Sequence, residues 1–114
     1  MLKRLFGRRE PAPVASREAR APAGSRIYAI GDIHGRLDLL QALQQQVQHD
    51  AASFRGARKV LIYLGDYVDR GQQNREVIDL LLQQPLAGFE TVHLRGNHEQ
   101  ALLDFLENLA AGNA

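Results

Sequence analysis

Residues 59–64 have the sequence Lys-Val-Leu-Ile-Tyr-Leu, a continuous apolar run that Gly65 closes. A short apolar run of this kind, bounded by a turn signal, predicts a buried strand. Two similar runs lie on either side of it, at residues 26–30 and 89–94, and each of them ends near a glycine. The three runs start roughly 30 residues apart, which is the length of a strand–helix–strand unit.

The segments that follow the three strands carry apolar residues at helical spacing. Residues 36–50, 74–84 and 98–110 each place apolar side chains three or four positions apart, which predicts three amphipathic helices. The first helix is predicted to face the core, and its apolar residues are Leu37, Leu40, Leu43 and Val47. The apolar residues of the other two helices are Val77, Ile78, Leu81 and Leu82 in the second and, on one side, Leu102, Phe105, Leu106 and Leu109 in the third. Three strands alternating with three helices predict an α/β fold, βαβαβα, with a parallel sheet and right-handed crossovers.

Composition and charge predict one folded unit preceded by a basic tail. A chain of 114 residues has room for one core, and the absence of cysteine excludes disulfides and thiolate sites. No apolar stretch approaches the roughly 20 residues that span a bilayer. Residues 1–25, rich in Arg, Ala and Pro, predict a disordered tail. The remaining residues are mildly acidic, which disfavours nucleic acid as a partner, and no export signal is recognisable, which favours a cytoplasmic protein.

A cluster of polar residues follows each predicted strand at its carboxyl end. The clusters are GDIHG at residues 31–35, GDYVDRG at residues 65–71 and RGNHE at residues 95–99. In an open parallel sheet these loops meet at one edge, where ligands bind. The side chains that we expect to meet there are Asp32, His34, Asp66 and Asn97.

The residue types in these clusters suit metal-dependent phosphoryl chemistry. Carboxylate, imidazole and amide groups are ligands for divalent ions such as Mn²⁺, Fe²⁺ or Zn²⁺. Two such ions about 3.5–4 Å apart can activate water and clamp a phosphoryl group during an in-line displacement. Arg70 and Arg95 carry guanidinium groups whose geometry matches phosphate oxygens. His98 is placed to protonate the departing oxygen, with Asp69 orienting its imidazole.

Together, the three clusters resemble the calcineurin-like metallophosphoesterases, and within that superfamily the phosphoprotein phosphatase branch of serine/threonine phosphatases, in its bacterial type. The resemblance covers about residues 26–99. It implies that Asp32, His34 and Asp66 bind one metal ion, Mn²⁺ before Fe²⁺ or Zn²⁺, and that Asp66 and Asn97 bind a second. It also implies that a hydroxide bridging the two ions attacks phosphorus in line.

The same resemblance implies roles for the remaining site residues and for the substrate. Arg70 and Arg95 would hold the phosphate, and His98 would donate the proton while Asp69 orients it. The substrate would be a phosphorylated protein or a small phosphoester. Family members have two further histidine ligands in a C-terminal half, whereas no histidine follows His98 here. We therefore expect residues 26–114 to be the N-terminal part of a catalytic domain, half of a two-sheet sandwich.

Several alternatives stay open at the level of the sequence. A symmetrical diadenosine tetraphosphate hydrolase shares the fold and much of the motif set. A truncated, inactive fragment would act only as a binding or partner-dependent module. Tyr67 either packs beside the site or contacts substrate, and Glu99 is expected to support the third cluster through hydrogen bonds. The sequence does not decide the oligomeric state.

Overall fold

A computed structural model describes residues 19–112 of the chain. The elements in chain order are β1 Ser25–Ile30, α1 Leu37–Ala51, β2 Arg58–Tyr63, α2 Asn74–Gln83, β3 Glu90–His93 and α3 Asn97–Ala110. Every predicted strand and helix is present, and each end lies within one residue of its predicted position. Most of the predicted tail, residues 1–18, lies outside the described residues.

The three strands form one parallel sheet in the order β1-β2-β3. Ile27 of β1 is paired with Val60 of β2, and Ile62 of β2 is paired with Val92 of β3. The strands therefore lie side by side in the order in which they occur in the chain. Leu40 of α1 and Val77 of α2 belong to one buried cluster, so the two helices lie on the same face of the sheet, as two crossovers of the same hand require. The predicted α/β class and βαβαβα order are confirmed.

The core lies between this face of the sheet and the two helices. The largest fully buried side chains are Tyr63, Leu40, Leu61 and Val77. They come from β2, α1 and α2, and they belong to one continuous apolar cluster. Burying each aliphatic side chain of this size stabilises the fold by about 1.5–3 kcal/mol. This packing holds the strand ends, and the loops that follow them, in fixed positions.

On α1, the structure corrects the predicted core face, because Gln44 rather than Leu43 is buried. Leu43 is 40% exposed and Gln44 is 9% exposed. Gln44 follows Leu40 by four positions and precedes Val47 by three, so it lies at the centre of the buried stripe. Its amide Nε2 donates a hydrogen bond of 2.9 Å to the hydroxyl of Tyr63. A polar partner thus compensates for the burial of this glutamine.

The second face of the sheet and the apolar side of α3 are exposed within residues 19–112. Ile27 and Val92 on the sheet are 43% and 42% exposed, and α3 contains no buried residue. Phe105 is 55% exposed, and on α2 the apolar residue Leu82 is 73% exposed. A sheet covered on one face only is compatible with half of a two-layer architecture. None of the helices in the described part combines the length and apolar character needed to cross a membrane.

Candidate metal centre

The loops that follow β1 and β2 are joined to each other by backbone hydrogen bonds. The N–H groups of Ile33 and His34 both donate to the carbonyl oxygen of Asp66, at 3.0 and 2.9 Å. In the opposite direction, the N–H of Gly71 donates to the carbonyl oxygen of His34 at 2.8 Å. The two loops therefore form one unit at the carboxyl edge of the sheet, which is where ligands bind in open α/β folds.

The side chains of Asp32, His34 and Asp66 converge on one point of this unit, and we call them the Asp–His–Asp group. Each offers one ligand atom, and these atoms all lie within 4.8 Å of one another. The Nδ1 of His34 lies 2.8 Å from the carbonyl oxygen of Val68, so Nδ1 carries the hydrogen and Nε2 is left to bind. Nε2 is 3.5 Å from Oδ2 of Asp32. Carboxylate oxygens with an imidazole nitrogen fit a divalent ion.

The backbone of the two loops adopts a conformation that side chains usually disfavour. The φ angles of His34, Asp66, Asp69 and Arg70 are +46°, +58°, +74° and +79°. Within residues 19–112, these four are the only non-glycine residues with positive φ. Each such residue costs roughly 1–3 kcal/mol and persists only where its surroundings determine it, typically at a binding or catalytic site. All four are residues that the sequence singled out.

Asn97, the first residue of α3, places its side-chain amide against Asp66. One terminal atom of the amide is 3.0 Å from Oδ1 and 3.1 Å from Oδ2 of Asp66. With nitrogen in this place the amide donates to the carboxylate, whereas oxygen there faces only acceptors. With oxygen there, the three oxygen atoms would repel one another unless a cation, which oxygen ligands can coordinate, lay among them. Asn97 and Asp66 can therefore share hydrogen bonds, or they can hold a cation with the amide turned over.

His98 lies beside the Asp–His–Asp group and is held by two carboxylates. Its Nδ1 is 2.8 Å from Oδ2 of Asp69, and its backbone N–H donates to Oδ1 of Asp66 at 3.0 Å. The centroids of the His98 and His34 rings are 4.8 Å apart, with the rings at 78° to each other. Because the carboxylate of Asp69 accepts from Nδ1, the second ring nitrogen, Nε2, is the one that remains available.

Nearly all of the described region matches a family model. The model is described as calcineurin-like phosphoesterase, and the match covers residues 25–113, which include all three polar loops. The chain belongs to the calcineurin-like phosphoesterase family. The resemblance inferred from the three clusters is thereby confirmed.

This chain is similar to two curated proteins and to one solved structure. Over 81 residues the chain is 40% identical to serine/threonine-protein phosphatase 2 of Escherichia coli (strain K12), which covers 71% of this chain and 33% of that protein. It is 38% identical over 81 residues to serine/threonine-protein phosphatase BSL2 of Arabidopsis thaliana, covering 70% of this chain and 8% of that protein. A solved cold-active protein tyrosine phosphatase aligns with a TM-score of 0.53 and 28% identity, over 72% of this chain and 28% of that chain. The chain thus spans a third or less of the length of each.

Arg70, in the loop after β2, and Arg95, between β3 and α3, differ in their contacts. The Nη1 of Arg95 donates to Oε1 of Gln100 at 2.8 Å. The side chain of Arg70 is exposed and makes no hydrogen bond or ion pair with any of residues 19–112. A guanidinium group has five N–H donors, so both side chains have donors left for an anion. The prediction that these two arginines hold the phosphate stays a prediction.

Tyr67 is a packing residue in this structure. Its side chain is buried, and its hydroxyl donates to the carbonyl oxygen of Leu94 at 2.7 Å. Burial raises the pKa of Tyr67 to about 12, and the charge of Glu99 acts in the same direction. The hydroxyl therefore stays protonated and ties the loop after β2 to the end of β3.

The sequence analysis did not identify two contacts of this site, those made by Asn74 and Val68. The Oδ1 of Asn74 accepts the backbone N–H of Asp69 at 3.0 Å. Asn74 begins α2, and a short polar side chain at a helix start is a usable signal for a contact of this kind. Val68 acts on His34 through its backbone carbonyl, which no side-chain pattern reveals.

Proposed function

We propose that this chain contributes to a metal-dependent phosphomonoesterase of the serine/threonine protein phosphatase type. Residues 26–114 would form the N-terminal part of its catalytic domain. The observation that carries the proposal is the position of Asp66. Its carboxylate belongs to the Asp–His–Asp group and also lies against the amide of Asn97. One carboxylate between two sets of donors is the arrangement that a pair of bridged metal ions requires.

The donor atoms divide into two unequal sets. Asp32, His34 and Asp66 would hold one divalent ion, and Asp66 with Asn97 would hold a second. Mn²⁺ suits this mixture of oxygen and nitrogen donors, with Fe²⁺ and Zn²⁺ as alternatives. When bound, such ions lower the pKa of a coordinated water and offset the negative charge of the phosphate. The second set is the poorer one, and no histidine after His98 adds to it.

The chain's own side chains would bind the phosphate and supply the proton. Arg70 and Arg95 would bind phosphate oxygens through their guanidinium groups. His98 would donate a proton from Nε2 to the oxygen of the leaving alcohol. Asp69, 2.8 Å from Nδ1 of His98, would orient the ring and stabilise its protonated form.

We propose phosphoserine or phosphothreonine in a protein as the substrate. The support comes from the two curated relatives, whose names describe serine/threonine phosphatases. The solved structure bears the name of a tyrosine phosphatase, so phosphotyrosine is the closest competitor. A dinucleoside tetraphosphate is a further candidate substrate.

The test compares these substrates with purified protein from which metal has been removed. Hydrolysis of p-nitrophenyl phosphate, a phosphothreonine peptide, a phosphotyrosine peptide and diadenosine tetraphosphate is measured with and without added Mn²⁺. We expect Mn²⁺-dependent release of phosphate, fastest from the phosphothreonine peptide, and its loss in Asp66→Asn. Metal binding without turnover of any substrate would instead favour an inactive binding module. Full activity in both Asp66→Asn and His98→Ala would contradict the proposed roles.

A further inference from the structure

The carboxylate of Glu99 is the most heavily hydrogen-bonded side chain at the site. Its Oε1 accepts the backbone N–H groups of Asp66 at 2.6 Å and Gly96 at 2.9 Å. Its Oε2 accepts those of Tyr67 at 2.6 Å and Val68 at 3.2 Å. One side chain therefore satisfies three consecutive amides of the loop after β2 and one amide at the start of α3.

Among residues 19–112, Glu99 is the only acceptor of these four amides, and for the three in the loop the course of the chain explains why. Strand β2 ends at Tyr63, so the N–H groups of residues 66–68 lie beyond the sheet and cannot be paired by it. Asp66 has a φ of +58°, and this conformation turns the chain sharply. A buried or half-buried N–H without an acceptor costs about 1–3 kcal/mol. An ionised carboxylate has about four lone-pair sites, the number needed here.

Glu99 also connects the two sets of proposed metal donors. It lies in the first turn of α3, which carries Asn97 and His98, while its oxygen atoms hold the loop that carries Asp66. The same turn contacts the Asp66 side chain, because the N–H of His98 donates to Oδ1 of Asp66. Both the backbone and the carboxylate of Asp66 are thus fastened to α3. The position of Asp66 relative to Asn97 depends on this attachment.

We infer that Glu99 is a positioning residue that preorganises the carboxylate of Asp66 for metal binding, an inference that rests on the metal site of the proposed function. Glutamine at position 99 would have the same shape but only one acceptor oxygen. Its amide group would face two backbone N–H donors and repel them. The loop of Asp66 would then lose part of its support, although no proposed ligand is altered.

The test measures Mn²⁺ affinity directly, by calorimetric titration of metal-free protein and by the electron paramagnetic resonance signal of free Mn²⁺. Residues that orient metal ligands typically contribute roughly 10- to 100-fold in affinity. We expect Glu99→Gln to raise the Kd for Mn²⁺ by roughly this factor. The matched control is Glu107→Gln, which removes the same charge from an exposed position of the same helix. The control is expected to bind Mn²⁺ like the unaltered chain.

Glu99→Gln binding Mn²⁺ as tightly as the unaltered chain would overturn the inference. If Glu99→Gln does not fold, proton NMR of the unaltered chain decides instead. The amide protons of Asp66 and Tyr67 should resonate downfield and exchange slowly, and rapid exchange of both would overturn the inference. Failure of the proposed function looks different, because the unaltered chain would bind Mn²⁺ without hydrolysing any phosphate ester. If the unaltered chain bound no Mn²⁺, both the metal site and the inference about Glu99 would be wrong.

Discussion

The Nδ1 of His98 lies 2.8 Å from Oδ2 of Asp69, although 29 positions separate the two residues in the chain. Asp69 comes from the loop after β2 and His98 from the first turn of α3, so the sheet topology brings them together. The pair leaves Nε2 of His98 as the nitrogen that can deliver a proton. The proposed acid and its orienting group are thus in direct contact.

The first prediction concerns this pair in the catalytically active protein. We expect Asp69→Asn to lower kcat by roughly tenfold or more, a part of the 10²–10⁴ that general acid catalysis contributes. The loss should be larger for phenyl phosphate than for p-nitrophenyl phosphate, because phenolate is the poorer leaving group and needs the proton more. Steady-state kinetics with both substrates provide the check. An equal loss with the two substrates would argue against a role in proton donation.

A second prediction concerns the contact between the first two loops. A Cβ at Gly71 would collide with the carbonyl oxygen of His34 and lie 2.7 Å from the carbonyl group of Gly35. We expect Gly71→Ala to destabilise the fold by roughly 1–3 kcal/mol, the usual cost of overpacking, and to weaken Mn²⁺ binding. Urea unfolding and Mn²⁺ titration measure the two effects.

The control for this glycine is Gly31→Ala. A Cβ at Gly31 meets nothing within 4 Å, and Gly31 is not among the residues with positive φ. The free energy of unfolding of Gly31→Ala should therefore differ little from that of the unaltered chain. Equal destabilisation by both substitutions would show that close packing of the loops is not the cause.

A third prediction concerns the buried hydrogen bond between Gln44 and Tyr63. Tyr63→Phe leaves the Nε2 of Gln44 buried without its acceptor, which should lower the free energy of unfolding by about 1–3 kcal/mol. The double variant Gln44→Leu with Tyr63→Phe should cost less than the sum of the two single variants, because neither polar group remains. Urea unfolding of all four proteins gives the coupling energy. Additive effects within about 0.3 kcal/mol would mean that the two groups do not stabilise each other.

A fourth prediction concerns the pH dependence of stability. Arg58 donates two hydrogen bonds to Glu90, at 2.7 and 2.8 Å, across β2 and β3. The hydrogen bonds from Arg58 lower the pKa of Glu90 below its usual value. The ionised form is therefore favoured in the folded state. Its contribution to stability is present above the usual glutamate pKa and is lost as the pH falls through the lower pKa of the folded state.

Urea unfolding between pH 7 and pH 3 checks this sign. We expect the difference in free energy of unfolding between the unaltered chain and Glu90→Gln to be greatest near neutral pH and to shrink in acid. The control is Glu107→Gln, which removes the same charge from a side chain that makes no ion pair with any of residues 19–112. Its free energy of unfolding should show the same pH dependence as that of the unaltered chain. A difference that grows as the pH falls would contradict the assignment.

The elements of the fold were predictable because their causes are local. Apolar runs ended by Gly65 and its counterparts predict strands, and the three- and four-residue spacing between them predicts helices. The polar loops were identifiable for a similar reason, since strand ends of a parallel sheet meet at one edge. The burial of individual helix residues was less predictable. Gln44 replaced Leu43 in the core because a rotation of the helix by a fraction of a turn decides which side chain faces the sheet.

The contacts that shape the site could not be predicted from spacing. The sequence suggested that Glu99 supports its own cluster, but not that it holds the amides of the Asp66 loop. The contact between the carbonyl oxygen of Val68 and Nδ1 of His34 could not be predicted either, because every residue has a carbonyl group. Such contacts depend on backbone direction at positions with unusual φ angles.

The amino-acid sequence alone determined the α/β class, the order of the elements and the set of candidate ligands, because these follow from periodicity and from side-chain chemistry. The family was indicated by the resemblance of the three polar clusters to known motifs. Only the tertiary structure decided which groups meet. It placed Asp66 between His34 and Asn97, paired His98 with Asp69 and assigned the carboxylate of Glu99 to four backbone amides. The physical reason is that all of these contacts except the one between Glu99 and Gly96 join residues about 30 positions apart. Their distances depend on how three strands and their loops pack in space.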